Sequence, residues 1–244
     1  LDEKDSARFL VQNYLTSSAI ENIEITVRIN GLDTDFYLED IDAIVGEKLD
    51  AIMVPKAHVY DLQKLDTILT DYETKLKLTK KIALIPIIEL AESLIEVEQI
   101  ARLPRVNGIL LGAEDLTKDM EVERTPEGEE IFYARCKIAV ACKAYKLDAI
   151  DTPFTNTNDE DGLLKDAQKA LALGMNAKAC IHPNQIVTVN EVFSPSPKAI
   201  EYALRVVETS KNNVGVFSLD GKMIDKPIIE RSAKVIEKAK KFGL

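Results

Sequence analysis

Continuous apolar runs separated by helical stripes recur six times along this chain. The runs are Ile23–Asn30, Asp50–Lys56, Ile82–Glu89, Val106–Ala113, Asp148–Phe154 and Lys178–His182. They do not alternate apolar with polar positions, so they read as parallel strands covered on both faces. Leu62, Leu65, Ile68 and Leu69 mark a helix over Tyr60–Leu69, and Leu94, Val97, Ile100 and Ala101 mark another over Leu94–Leu103. Glu129–Lys146 repeats Ile131, Ala134, Ile138, Cys142 and Tyr145 at helical spacing, and Asp161–Leu173 stops at Gly174, a good helix terminator. Strand and helix alternate, which is the signature of an α/β fold with a parallel sheet. Right-handed crossovers wind six such units into an open sheet or, with about two more, into a (β/α)₈ barrel.

Beyond His182-Pro183 the texture changes. Ser196 is placed to cap a helix that begins with Pro197 and carries Ile200, Ala203, Leu204 and Val207 on one face. A turn-rich stretch, Asn212–Lys226, contains the hairpin signal Ser218–Lys222, and Pro227–Phe242 is amphipathic through Ile229, Ala233, Ile236 and Ala239. The expected division is a barrel over residues 1–190 and a C-terminal helical arm or lid over 191–244. At the other end, Ala7, Leu10, Val11, Tyr14 and Leu15 form a helical stripe that starts almost at Leu1, with no methionine before it. Sequence preceding Leu1 is therefore expected.

Two of the runs end in carboxylates, Glu89 in one case and Glu114-Asp115 in the other. In a parallel barrel the C-terminal strand ends line one mouth, where catalytic groups gather. Two acids there make an oxygen-ligand site suited to Mg²⁺, or else are solvated acids at strand ends. Alternation cannot choose between Glu114 and Asp115 at a strand end. Arg28, near the end of Thr26-Val-Arg-Ile-Asn30, is expected either to fork onto a carboxylate ligand or to form a buried structural ion pair. Lys56 reads as a positioning or solvated lysine, because nothing beside it would depress its pKa as a Schiff base needs. His182 closes a strand and reads as structural, and His58 reads as solvated. No GxGxxG, P-loop or GxSxG is present, so dinucleotide, nucleotide and serine-hydrolase chemistry have no support.

Composition narrows the partners. The 244 residues carry a net charge of −10, which argues against nucleic acid or an anionic membrane as the main partner. With 46% hydrophobic and 30% charged residues this is ordinary globular composition. Cys136, Cys142 and Cys180 lack metal-type spacing and are expected to be buried, reduced thiols. No run reaches membrane-span length and no signal peptide is visible, so the cytoplasm is the expected compartment.

An ordered set of short motifs covers nearly the whole chain. It runs Arg28-Ile-Asn30, Pro55-Lys56, Ile88-Glu89, Leu111-Gly-Ala-Glu-Asp-Leu116 and Asp151-Thr-Pro-Phe154. It continues through Ile181-His-Pro-Asn-Gln-Ile186, Phe193-Ser-Pro-Ser-Pro197 and Gly221-Lys-Met-Ile-Asp-Lys-Pro227. This order resembles the citrate lyase β-subunit / malyl-CoA lyase family, part of the HpcH/HpaI aldolase group. Arg124-Thr-Pro-Glu-Gly128, Tyr133-Ala-Arg135 and Ser218–Asp225 resemble the citrate lyase β branch within it.

The resemblance implies a (β/α)₈ barrel with C-terminal helices. It also implies that the first two barrel strands, with an acid the family places beside the metal, are absent from this chain. The implied reaction is retro-Claisen cleavage of a citryl thioester to oxaloacetate and an acetyl thioester. Glu89 and Asp115 would hold Mg²⁺, with Glu89 also beside the substrate. Arg28 would clamp a carboxylate, and Asp225, acting in the site of a neighbouring subunit, would be the acid/base group. Implied partners are an acyl carrier protein, the α subunit of citrate lyase and further copies of the chain as a homotrimer or hexamer. Two other functions compete. One is a malyl- or citramalyl-CoA-type lyase or synthase, with CoA contacts sought near Lys56–Asp61 and Asn184–Thr188, where no clear basic cluster is seen. The other is a non-catalytic scaffold subunit.

Overall fold

The computed structural model describes residues 3–17, 23–213 and 215–244. The chain divides into two compact units, one of Leu1–Phe154 with Lys169–Ala179, the other of Thr155–Gln168 with Cys180–Leu244.

In the first unit, helix α1 (Lys4–Thr16) precedes a regular alternation: β1 (Thr26–Arg28), α2 (Tyr37–Ile44), β2 (Ala51–Val54), α3 (Val59–Leu76), β3 (Ala83–Ile88) and α4 (Ala91–Ile100). It continues with β4 (Gly108–Leu111), α5 (Ala113–Asp119), α6 (Phe132–Tyr145), β5 (Asp148–Asp151), α7 (Glu160–Ala172), which runs on from the second unit, and β6 (Ala177–Lys178). The six strands form one sheet in the order β1-β2-β3-β4-β5-β6, every pair parallel. This is the curled parallel sheet of a barrel-type α/β fold with six strands; the alternation of runs and stripes by itself allows an open sheet or a barrel.

The doubly apolar strands have a direct physical reading. On one face Ala51, Ile85, Ile87 and Leu110 form a buried cluster, joined by Met53, Ala83, Ile150 and Ala179. On the other, Ile52, Val54, Leu84, Ile88, Ile109 and Leu111 are essentially inaccessible, and α4 and α6 pack against the sheet. Each such side chain contributes about 1.5–3 kcal/mol by leaving water. Opposite the mouth, buried Arg105 donates to Asp66 at 2.6 Å, to Glu73 at 2.5 Å and to the Ile82 carbonyl at 2.9 Å. Burial opposes its charge, but Glu73 and Asp66 outweigh that and raise its pKa. A second buried cluster lies at the end of β5. There Asp151 accepts two bonds from Arg135, at 2.8 and 2.9 Å, and one from Lys178 at 2.7 Å, all three side chains being fully buried.

Several expectations are corrected. The apolar runs overshoot the strands, because Asn30, Lys56 and Glu89 sit in the turns that follow them. The run Lys178–His182 shrinks most: β6 ends at Lys178, and His182 instead accepts from the Asn184 amide at 3.3 Å to open a 3₁₀ turn, Pro183–Gln185. Leaving the sheet there puts Cys180 at the surface, with Cys136 half-buried and only Cys142 buried, its thiol pushed up to about 12 by desolvation. The stripe on α1 is mostly solvent-facing, with Leu10 67% and Tyr14 55% exposed. That helix is anchored by Arg8, which pairs with Asp5, Glu39 and Asp40. Periodicity shows that a helix has an apolar face, not that the face is covered.

The second unit holds α8 (Ile186–Phe193), α9 (Pro197–Ser210), an antiparallel hairpin of β7 (Phe217–Leu219) and β8 (Lys222–Ile224), and α10 (Lys226–Lys241). Helices α9 and α10 pack on one another. Ser196 caps α9 through the Ala199 amide at 3.2 Å, as expected. The hairpin turns on Asp220 and Gly221, with φ of 50° and 75°. Two successive positive φ angles suit the right-handed strand twist, and Asp-Gly tolerates them best.

Candidate active site

Four consecutive strand ends build one cavity of about 380 Å³, lined by Arg28, Asn30, Asp33, Lys56, Glu89 and Asp115 among others. Arg28 is the last residue of β1, Lys56 turns out of β2, Glu89 follows β3, and Asp115 lies in the first turn of α5, after β4. In-register parallel pairing brings these C-terminal ends side by side.

Glu89 is the buried member of the set, 4% exposed. Its Oε1 accepts the backbone N–H of Lys56 at 2.8 Å. Lys56 can present that N–H because its backbone is left-handed, φ 47°. Burial pushes the Glu89 carboxyl up. The Lys56 amide and the charge of Arg28 pull it down, the nearby Asp115 carboxylate pushes it up again, and the net shift is upward. Asp115 itself is exposed on the cavity side.

The neighbouring acid points elsewhere. Glu114 pairs with Arg124 Nε at 3.0 Å, and Arg124 also grips Glu130. Thr125 hydrogen-bonds the same Glu130 through its hydroxyl at 2.7 Å, so the Arg124–Glu130 turn is tied to the start of α5. The strand pattern left Glu114 and Asp115 open; tertiary packing separates them.

Arg28 is exposed, not buried, and no carboxylate of the described residues lies within ion-pair range of it. The alternative of a structural ion pair therefore has no partner here. Lys56 Nζ lies 3.1 Å from Asp33 Oδ2, and that partner raises the lysine pKa. A raised lysine is the opposite of what Schiff-base formation needs.

Asn30 and Gly112 stand in the ordered motifs without a role of their own, and Asp40 was not singled out in the sequence. Asn30 lines the cavity and is held by buried Asp40 on α2, which accepts its backbone N–H at 2.8 Å and its amide at 2.6 Å. Burial would raise Asp40, but the Asn30 donors and Arg8 outweigh it and leave the carboxyl below its ordinary range. Gly112, N-cap of α5, sits against Glu89. An acid on the inward stripe of a helix was the available signal for Asp40, and the motif Leu111-Gly-Ala-Glu-Asp-Leu116 was the one for Gly112.

His58 is half-buried, correcting the expectation of a solvated side chain. Its Nδ1 is 3.6 Å from Glu96, whose carboxylate accepts the Val59 amide at 3.0 Å and so caps α3. Glu92 joins them, with the three candidate ligand atoms within 4.8 Å of one another. In the second unit, Asp225 is the N-cap of α10, accepting the Ile228 amide at 3.2 Å. Among the described residues no helix is long and apolar enough to cross a membrane.

With this geometry in hand, comparison with known proteins is informative. The profile of the HpcH/HpaI aldolase/citrate lyase family matches residues 1–183. The citrate lyase subunit beta of Haemophilus influenzae is 39% identical over 250 residues, spanning 98% of this chain and 85% of that protein. The L-malyl-CoA/beta-methylmalyl-CoA lyase of Cereibacter sphaeroides is 31% identical over 264 residues, spanning 98% and 83%. Among solved structures, protein CitE from Mycobacterium tuberculosis in complex with magnesium, acetoacetate and coenzyme A superposes with a TM-score of 0.80 at 25% identity, covering 98% of this chain and 85% of that one.

Proposed function

From the premise that the chain belongs to the HpcH/HpaI aldolase/citrate lyase family and is a carbon–carbon lyase, we propose that it cleaves a citryl thioester to oxaloacetate and an acetyl thioester with the help of Mg²⁺. The supporting observation is the pair Glu89 and Asp115 at one cavity, with the guanidinium of Arg28, which has no carboxylate partner among the described residues, on the same wall.

The residues fit a hard divalent cation. Both donors are carboxylates, and they line one cavity. Magnesium prefers such a site, with one or two carboxylates and the remaining positions left for water and substrate oxygens. When bound, the ion would supply Lewis-acid stabilisation of charge developing on the substrate hydroxyl oxygen.

The chain's own residues do the rest. Arg28 receives a carboxylate of the oxaloacetate half through its two-pronged fork, which orients the bond to be broken. The hydroxyl gives its proton to the Asp225 carboxylate, the C–C bond breaks as the alkoxide becomes the oxaloacetate ketone, and the electron pair of that bond passes into the thioester as an enolate. Asp225, supplied by a neighbouring copy, returns a proton to that carbon and releases the acetyl thioester. The Lys56 amide holds one oxygen of Glu89, Oε1, in place.

A citryl substrate is favoured because the relative at 39% identity is a citrate lyase subunit beta. On this reading an acyl carrier protein delivers the thioester, and an α subunit and further copies of this chain assemble with it. The malyl-CoA lyase relative and the coenzyme A complex support the second reading, a CoA-thioester lyase. Oxaloacetate release from citryl-CoA and glyoxylate release from malyl-CoA, measured in parallel with Mg²⁺ and with EDTA, decides between them. Turnover of malyl-CoA alone would overturn the citryl assignment, and equal rates in EDTA would overturn the metal.

A further inference from the structure

We propose that Gly112 is a positioning residue for Glu89: the space left by its absent side chain sets where the buried carboxylate stands relative to Asp115. The inference rests on the reading of Glu89 as a metal ligand.

The backbone at Gly112 has φ −95° and ψ 75°, on the negative-φ side that any residue can adopt. Glycine is therefore not needed here for a turn. It is needed for space. A Cβ at this position would stand 2.8 Å from Glu89 Cβ, 2.9 Å from Ile87 Cγ2 and 3.1 Å from Glu89 Oε2. The first two distances are well inside van der Waals contact. The contact with Glu89 Cβ cannot be relieved by rotating the carboxylate, because Cβ is fixed by the backbone. The Ile87 side chain cannot retreat freely, since it belongs to the buried cluster on the inner face of the sheet.

Gly112 also links the two acids. Its N–H donates to the Ile88 carbonyl at 2.9 Å, tying it to the end of β3, and its carbonyl accepts the Leu116 amide at 3.0 Å to start the helix that carries Asp115. Glu89 Oε1 is held by the Lys56 amide, and its Oε2 lies 3.1 Å from where a Cβ at position 112 would stand. Any side chain at 112 must push β3 and the start of α5 apart, and the two carboxylates with them. Metal sites lose about 10–100-fold in affinity when the groups orienting a ligand are disturbed.

The test is Mn²⁺ binding, followed by electron paramagnetic resonance, for the wild-type chain, Glu89→Gln, Gly112→Ala, Ile87→Ala and the Ile87→Ala/Gly112→Ala pair. The expected result is binding by the wild type that Glu89→Gln abolishes, and binding at least ~10-fold weaker in Gly112→Ala. Ile87→Ala should bind as the wild type does, and the double variant as weakly as Gly112→Ala, because removing Ile87 Cγ2 relieves packing but not the clash with Glu89. Wild-type affinity in Gly112→Ala, or its recovery in the double variant, would overturn the proposal. If Gly112→Ala fails to fold, the double variant gives the answer, and failure of both to fold would assign Gly112 to packing and overturn the proposal too. A wild-type chain that binds no Mn²⁺, or a Glu89→Gln variant that binds it normally, sinks the metal reading of Glu89 and this inference with it. Normal binding confined to Gly112→Ala sinks the inference alone.

Discussion

Arg28 and Glu89 show how much a single side chain depends on what it lacks. Arg28 has no carboxylate partner among the described residues, so its fork is available to a ligand. Arg28→Lys keeps the charge but not the planar, two-donor geometry, and should lower kcat/KM for the citryl thioester by at least ~10-fold, the equivalent of one good charge-assisted bond. Steady-state kinetics with unchanged kcat and KM would refute that role. Glu89 gives a pH prediction. Its folded-state pKa lies above the unfolded value, so folding takes up a proton. Whatever stability it contributes is therefore fully present below the ordinary glutamate range and is lost as pH rises through the raised folded value. In EDTA, Glu89→Gln should melt at the same temperature as the wild type at low pH and at a higher one at neutral pH. Added Mg²⁺ should narrow the gap. Thermal melts across pH check this, and a gap that does not vary with pH would count against it.

At the scale of elements, helix N-termini carry two of the candidate acids, and each has a structural role to separate from a chemical one. Asp225 caps α10. Asn caps a helix about as well as Asp but cannot transfer a proton, whereas Ala does neither. Asp225→Asn should therefore keep the melting temperature and lose at least ~100-fold in kcat, while Asp225→Ala also loses ~1 kcal/mol of stability. Full activity in the Asn variant would leave Asp225 as a cap only. In the first turn of α5, Glu114 faces Arg124 and Asp115 faces the cavity. Asp115→Ala should abolish Mg²⁺-stimulated turnover, and Glu114→Ala should change it less than ~3-fold while costing no more than about 1 kcal/mol, the usual value of an exposed pair. Comparable Mg²⁺ responses in the two variants would undo the assignment.

For the whole molecule, the proposal that Asp225 works in a neighbouring copy makes activity a property of the assembly. Mixing inactive Asp225→Ala with inactive Asp115→Ala subunits should restore a fraction of activity, because some mixed sites combine an intact cavity with an intact aspartate. No recovery after verified subunit exchange would mean that each site is self-contained. The two units within the chain also differ in what holds them. The first is stabilised by a sheet buried on both faces and by the ion clusters around Arg105 and Asp151. The second consists of helices and one short hairpin. Asp151→Ala would leave Arg135 and Lys178 without the carboxylate they share, a loss of roughly 3–5 kcal/mol that chemical denaturation would detect.

What was legible in the sequence follows from what is local. Six doubly apolar runs separated by 3.6-period stripes dictate parallel strands with helical crossovers, because each pattern reports the burial of its own residues. Ser196 and the Asp220-Gly221 turn were equally plain, since caps and tight turns are decided within four residues. Glu89 and Asp115 stood out as acids at the ends of apolar runs, and Asp225 came only with the ordered motifs. Tertiary structure alone decided the rest. It turned Glu114 to Arg124 and Asp115 to the cavity, exposed Arg28 and Cys180, set Asp40 to hold Asn30, and brought Glu89 against Gly112. The contacts among these join residues 10 to 23 positions apart, or choose between adjacent residues, and no local period records them. Burial of a charge and the clearance beside a glycine exist only once strands lie side by side.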